Sequence, residues 1–208
     1  MIPALGWSAL AVLLLYLMLF VWGGVMATRA CGRSIWLFGR AQGRDRLAAI
    51  GFRAAFGLAA LGPLVWLGLP ELRALDPFWT DQATPIIGFG GHLLAVLGAM
   101  IAFAAQMAMG ASWRVGVDPS ATGRLVSGGL HGISRNPTFM GQLMLLAGVA
   151  LAVPSVPAVT AVLLFWMCAN AQIRSEERIL EKMLGAPYLS YKARVPRWIA
   201  RPGPRILT

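Results

Sequence analysis

The segment Gly128-Gly129-Leu130-His131-Gly132-Ile133-Ser134-Arg135-Asn136-Pro137-Thr138-Phe139 is polar and glycine-rich, and it stands between two long apolar runs. Such a stretch is compatible with an ordinary connection between membrane helices, but its content argues for more. Two adjacent glycines let a ligand approach the backbone closely. Arg135 and Asn136 present hydrogen-bond donors, and Pro137 fixes the start of the next helix. The remaining polar groups of chemical interest lie just before this segment or one helical hairpin after it. The segment therefore reads as the floor of a small-molecule site at a membrane surface.

Working outward, the chain of 208 residues is 58% hydrophobic and only 12% charged, with a mean hydropathy of +0.68. A soluble domain carries roughly a quarter charged residues, so this is an integral membrane protein. Its net charge of +10 does not imply nucleic acid. The basic residues sit at the ends of apolar runs, where membrane topology and anionic lipid headgroups account for them. Cys31 and Cys168 offer neither a disulfide framework nor a metal spacing. His92 and His131 lack the company of a zinc site, so no metal is expected. The apolar run from about residue 5 to 27 is too long for a secretory leader and reads as a retained first helix.

Apolar segments long enough to span occur at about 48–69 and 85–109 as well. Two shorter ones, about 138–153 and 156–172, flank Pro154-Ser155-Val156-Pro157 and read as a helical hairpin. The expectation is an all-α protein with five membrane helices, a single domain over 1–208, and a cytoplasmic cofactor loop at 110–137. Five spans put 17 of the 18 basic residues on one side and leave Arg73 on the other, with Glu71, Asp76 and Asp81. The positive-inside rule makes the rich side cytoplasmic, with the N-terminus outside and the C-terminus in the cytoplasm. Arg29, Arg33, Arg40, Arg44 and Arg46 form a topogenic, lipid-binding loop, and Phe78 and Trp79 look interfacial. In the third span Gly88, Gly90, Gly91 and Gly98 offer close helix packing. His92 and Gln106 there are either functional or satisfied by a neighbouring helix.

After the hairpin, residues 172–185 read as an amphipathic helix closed by Gly185. Ile173, Leu180 and Leu184 share its apolar face. Arg174 with Glu177 and Arg178 with Glu181 suit a solvated surface. Glu176 interrupts the apolar stripe and needs a partner or a ligand, and Gln172 is its neighbour one turn earlier.

The ordered set Leu125-Val126, Gly129, His131, Arg135-Asn136-Pro137, Phe139, a hairpin, Glu176-Glu177, Leu180, Gly185, Tyr188, Tyr191-Lys192, Arg194-Val195-Pro196 resembles the isoprenylcysteine carboxyl methyltransferase family and its relatives, the phospholipid methyltransferases. The resemblance covers about 109–198. It implies an integral-membrane enzyme, of the bacterial inner membrane, that uses S-adenosylmethionine and methylates a lipophilic acceptor reached through the lipid. By resemblance, Leu125, Val126, Gly129, His131, Arg135, Asn136, Pro137, Thr138 and Phe139 line the cofactor pocket, and Glu176 binds the cofactor from the last helix. Where many members have His, Tyr and Tyr, this chain has Asn136, Phe139 and His131.

One departure bears on the acceptor. The carboxyl methyltransferases carry an Arg one turn before the Glu aligned with Glu176, and here that position is Gln172. Arg174 is close in sequence but rotated off that face. Gln lacks the charge and the bidentate fork of Arg, which leaves a prenylcysteine carboxylate, a lipid amine or a thiol open as acceptor. Glu176 and Arg174 are the candidate catalytic residues, Gln172 and Arg174 the candidate acceptor-binding ones. Two other classes compete: a sterol-type membrane reductase using NADPH, for which the three arginines of residues 110–137 are few, and a non-catalytic membrane scaffold.

Overall fold

The computed structural model describes residues 2–32, 35, 43–73, 75–78, 85–113 and 125–199. Arg33, Arg40, Trp79, Asp81, Arg114 and Arg124, each given a role above, lie outside them. The regular structure of the described residues is all helical: α1 (Ile2–Cys31), α2 (Gly43–Gly68), the single turn α3 (Pro70–Arg73), α4 (Pro85–Met109), α5 (Pro137–Ala152), α6 (Val156–Leu184) and α7 (Ala186–Arg194). Short 3-10 turns at Gly110–Ser112 and Gly129–Gly132 flank the polar connection.

Four helices, α1, α2, α4 and α6, are long and apolar enough to cross a bilayer, and α5 is a shorter apolar helix of 16 residues. At 1.5 Å per residue α5 extends only about 24 Å, less than a hydrocarbon core of about 30 Å. Its bounds are set by proline chemistry. Pro137 occupies the first helical position, where a missing N–H costs nothing. At the other end Pro154 keeps Val153 out of the helical region (φ −133°, ψ 77°). Trp7, Met18, Phe89, Met100, Trp166 and Met167 are exposed on the outer faces, an arrangement that suits lipid and would be untenable over such an area in water.

The hairpin is built as the sequence suggests, but its second arm continues. The amphipathic stretch 172–184 is the last three turns of α6, not a separate helix, and Gly185 (φ 56°) ends it with its N–H on the Glu181 carbonyl. At the turn, Ser155 caps α6 by accepting from the Ala158 N–H at 3.3 Å. Asp76 accepts from the Val156 N–H at 2.8 Å, placing a negative charge where the helix dipole favours it.

Small residues set the α4–α5 contact. A Cβ on Gly98 would stand 2.4 Å from the Leu145 N, and one on Gly148 would stand 2.3 Å from the Ala95 N. Gly91 and Gly141 are equally closed in. Two backbones thus meet at the separation that small-residue membrane interfaces permit. Gly88 would meet Leu5 from α1, whereas Gly90 faces open space and takes no part. Gln106 is half satisfied across helices, with Nε2 donating to the Phe20 carbonyl at 2.9 Å, while its Oε1, like His92 Nδ1, is buried without a hydrogen-bond partner among the described residues. Gln142 on α5 donates to the buried Tyr16 hydroxyl at 2.7 Å, which pins α1 to the same unit.

Candidate functional site

The polar connection does not lie open. Ser134, Arg135 and Asn136 each grip the chain that follows α7. The Arg135 N–H donates to the Pro196 carbonyl at 2.9 Å. Ser134 Oγ and Asn136 Nδ2 both donate to the Arg197 carbonyl, at 3.1 and 3.0 Å. The Arg135 guanidinium reaches the end of α7, donating to the carbonyls of Lys192 and Val195 at 3.1 and 2.6 Å. Those are last-turn carbonyls with no helical partner, and a cation is the group they favour.

The same guanidinium is paired with Glu177. Arg135 Nη2 stands 2.6 Å from Glu177 Oε1, and Arg197 holds the carboxylate through Nη2 at 2.6 Å and Nε at 3.1 Å. The Arg135 and Glu177 side chains are 8% exposed and that of Arg197 is 34% exposed. The Arg197 guanidinium is pushed above its usual range, chiefly by its hydrogen bonds to Glu177. This corrects the pairing expected of a solvated helix face. Glu177 turns inward rather than toward Arg174, and Glu181 pairs with Lys192 rather than with Arg178. Arg178 donates instead to the Arg174 carbonyl.

Tyr188, Tyr191 and Val195 pack with Leu125, Leu180 and Leu184 in a small core beneath the polar connection. Burial pushes both tyrosines up to about 12, so they stay protonated, and Tyr191 donates to the His131 carbonyl at 2.7 Å. Burial holds the His131 imidazole below its usual range, which leaves it neutral at pH 7.

Above this floor lies a cavity of about 610 Å³, within the size range of small-molecule sites. It has two halves. One is polar, with Trp113, His131, Arg135, Asn136, Gln172 and Glu176 among its walls. The other is aromatic and comes from α1 and α2. A chain of ring contacts runs from Trp113 to Phe20, Tyr16 and Phe56, then through Phe165 and Phe52 to Phe139, with centroids 5.3 to 6.1 Å apart. Phe52 stacks on Phe139 at an interplanar angle of 16°. Gly57 on α2 lines the cavity, is exposed and faces open space, so no side chain closes the wall at that position.

Of the residues picked from the sequence, Leu125, Val126, His131, Arg135, Asn136, Pro137, Thr138, Phe139, Gln172 and Glu176 all line this cavity. Gly129 and Arg174 do not. Gly129 is an exposed turn residue with φ 56° and open space where a Cβ would go, and its contribution is the turn itself. Arg174 is exposed on the outer face of α6, as its rotation away from Gln172 and Glu176 requires. It cannot serve the cavity from there. Sequence reasoning passed over Arg197, Glu177 and the α1–α2 aromatics. Only the aromatic spacing Phe52 and Phe56, one helical turn apart, carried a local signal.

The polar half contains buried atoms that have no hydrogen-bond partner among the described residues: Trp113 Nε1, His131 Nδ1, Arg135 Nε and Gln172 Oε1. A buried polar atom costs free energy unless something completes it. Two are obligate donors and one is an acceptor, so a ligand that completed them would carry both kinds of group. Among the described residues no group of His, Cys, Asp and Glu could hold a metal ion. No curated protein sequence matches the chain. Residues 86–186, from the first turn of α4 to the first residue of α7, match the model of the phospholipid methyltransferase family, a family of membrane methyltransferases to which this part of the chain is similar.

Proposed function

We propose that the protein transfers a methyl group from S-adenosylmethionine to a lipophilic acceptor that reaches the cavity from the bilayer, with the basic end of the helices in the cytoplasm. The observation that carries this reading is the division of one cavity into a polar half with unpartnered buried atoms and an aromatic half walled by membrane helices. The unpartnered set fits the cofactor's functional groups. Trp113 Nε1 and Arg135 Nε would donate to its carboxylate or ring nitrogens, and Glu176 would hold its ammonium. When bound, the cofactor supplies an electrophilic methyl group on a sulfonium, so no catalytic metal is called for.

The residues of this chain align and seal. The Phe52–Phe139 stack and its neighbours exclude water, and a fixed approach geometry supplies much of the rate. Glu177 is spent on Arg135 and Arg197 and is no candidate for a base. Glu176 is held by Gln172 Nε2 at 3.0 Å, which orients its carboxylate. The exposed, side-chain-free position at Gly57 on the cavity wall supports lateral arrival of an apolar tail. The concentration of basic residues in the segments 28–47, 110–137 and 173–208 of the sequence supports the orientation.

Calorimetric titration of the detergent-purified protein with S-adenosylmethionine, S-adenosylhomocysteine and NADPH tests the reading. Saturable binding of both adenosyl ligands without NADPH is expected, and Glu176→Ala should abolish it. Binding of NADPH alone would turn the assignment to a reductase. Binding of none of them by a folded sample would favour a non-catalytic scaffold.

A further inference from the structure

Arg44, Arg174 and Arg178 lie on the flank of the α2–α6 pair that turns away from the cavity. Arg174 stands two residues from both Gln172 and Glu176, which line the cavity, and so faces about 200° round α6 from each. Arg178 follows one turn later. Arg44 precedes Arg53, the cavity-lining arginine of α2, by nine residues and lies about 180° round that helix from it. Three contacts hold α2 and α6 antiparallel at one register. Gly62 packs against Ser155 and Ala158, Gly51 packs against Cys168, and Ser175 Oγ donates to Asp45 Oδ2 at 3.1 Å. That register sets Arg44 about level with Glu176, between Arg174 and Arg178 along the axis. All three arginines are exposed.

No carboxylate among the described residues answers them. Glu177 is enclosed by Arg135 and Arg197, Glu181 holds Lys192, Glu176 turns to Gln172 and Asp45 to Ser175. Within the group Arg178 Nε donates to the Arg174 carbonyl, which leaves the Nη groups of both without a partner among the described residues. Like charges one turn apart destabilise a helix, so an anion from outside the chain relieves the cluster. Depth says which anion. Counted from Val156, Arg174 and Arg178 come about 27 and 33 Å along α6 at 1.5 Å per residue, at the edge of a hydrocarbon core of about 30 Å. Met167 and Leu163 are exposed on the same stripe and run about 16 Å back from Arg174, roughly the depth of one leaflet.

We propose that Arg44, Arg174 and Arg178 form a binding site for the phosphate of an anionic phospholipid, whose acyl chain lies along Met167 and Leu163, at the seam of α2 and α6 opposite the cavity. The guanidinium fork matches paired phosphate oxygens. Phosphatidylglycerol brings a net negative charge, whereas phosphatidylcholine brings an ammonium into a cluster of cations. The site is independent of what the cavity binds, and it employs Arg174, which the cavity does not.

The test offers equimolar palmitoyl-oleoyl phosphatidylglycerol and phosphatidylcholine to the full-length protein in detergent. Retained lipid is read by native mass spectrometry, with helix content and melting temperature checked on each sample. The wild type should retain phosphatidylglycerol about ten-fold over phosphatidylcholine. Each arginine beside anionic lipid is worth roughly five-fold, so Arg44→Gln, Arg174→Gln and Arg178→Gln should each cut that ratio about five-fold. Arg174→Lys keeps the charge and loses the fork, and should cut it less. Arg29→Gln and Arg194→Gln, equal losses of charge at exposed positions on α1 and α7, should leave it unchanged.

Parity of the two lipids in the wild type overturns the proposal, as does an unchanged ratio in the three seam variants. An equal fall in the α1 and α7 variants overturns it too, because the preference is then one of overall charge. Retention of neither lipid overturns it and turns the seam to another occupant, such as an acidic segment of a partner protein.

Discussion

Replacing Glu177 with Ala separates two neighbouring carboxylates that the sequence alone makes look alike. The change removes the acceptor shared by Arg135 and Arg197. The Arg135 arm is buried at both ends, 8% exposed on each side, and a hydrogen bond between charged groups in such a place contributes about 2 kcal/mol. Arg135 keeps the Lys192 and Val195 carbonyls, which holds the loss below the full penalty of a stranded charge. The Arg197 arm is about a third exposed and screened, so its bidentate contact adds only about 1 kcal/mol. Together these come to about 3 kcal/mol, roughly a hundred-fold in an equilibrium constant.

That free energy belongs to the strap that follows α7 rather than to the membrane helices, because the strap's remaining ties are a few backbone and side-chain hydrogen bonds to Ser134, Arg135 and Asn136. Hydrogen–deuterium exchange of peptides covering residues 186–199 should therefore speed up by roughly a hundred-fold in Glu177→Ala, with exchange in α4 and α5 unchanged. Glu176→Ala should leave the strap protected while losing the cofactor. Equal protection in wild type and Glu177→Ala would refute the reasoning, as would equal deprotection by the two substitutions.

Gly98→Ala and Gly90→Ala make a second pair. The first places a Cβ 2.4 Å from backbone and should lower the melting temperature in detergent by well over 5 °C, while the second enters open space and should be neutral or slightly stabilising, since Ala outranks Gly in a helix; similar losses at both sites would argue against the close α4–α5 approach. Tyr16→Phe strands the buried Gln142 amide and should cost about 1–3 kcal/mol, read as a lower melting temperature with helix content unchanged, and an unaltered melt would count against that bond. For His131, burial lowers the folded-state value, so the unfolded chain takes up the proton first as pH falls. Its contribution is complete above about 6.5 and is lost below that, giving a fall in melting temperature from pH 7 to 5 that is shallower in His131→Gln; parallel pH profiles would exclude the group as a source.

The helical class, the span positions and most of the cavity floor were legible because the bilayer imposes its demands on composition. Apolar runs, proline stops and the placement of arginine are local properties of the string. The sequence also pointed to the Arg135-Asn136-Pro137 turn, though for only part of its work. Asn136 Nδ2 is spent on the Arg197 carbonyl and Arg135 on α7 and Glu177, so the turn holds the strap as well as lining the site. The partner here is some 60 residues away, and nothing in the local pattern names it.

The choice between Glu176 and Glu177 shows where the reading went short. At about 100° per residue, Glu177 lies about 40° from Ile173, about 20° beyond Leu184 at one edge of the stripe of Ile173, Leu180 and Leu184, whereas Glu176 lies about 60° to the other side, about 40° beyond Leu180. The carboxylate nearer the stripe is the one that must be paired to be buried, and it is: two guanidiniums reach it. The other lies farther out, where a groove can open beside it, and there Gln172 orients it against the cavity. A carboxylate fully enclosed by cations is structural for the reason that makes it stable. Its neighbour, oriented by an amide and lining the cavity, is the carboxylate on which the proposed cofactor site depends.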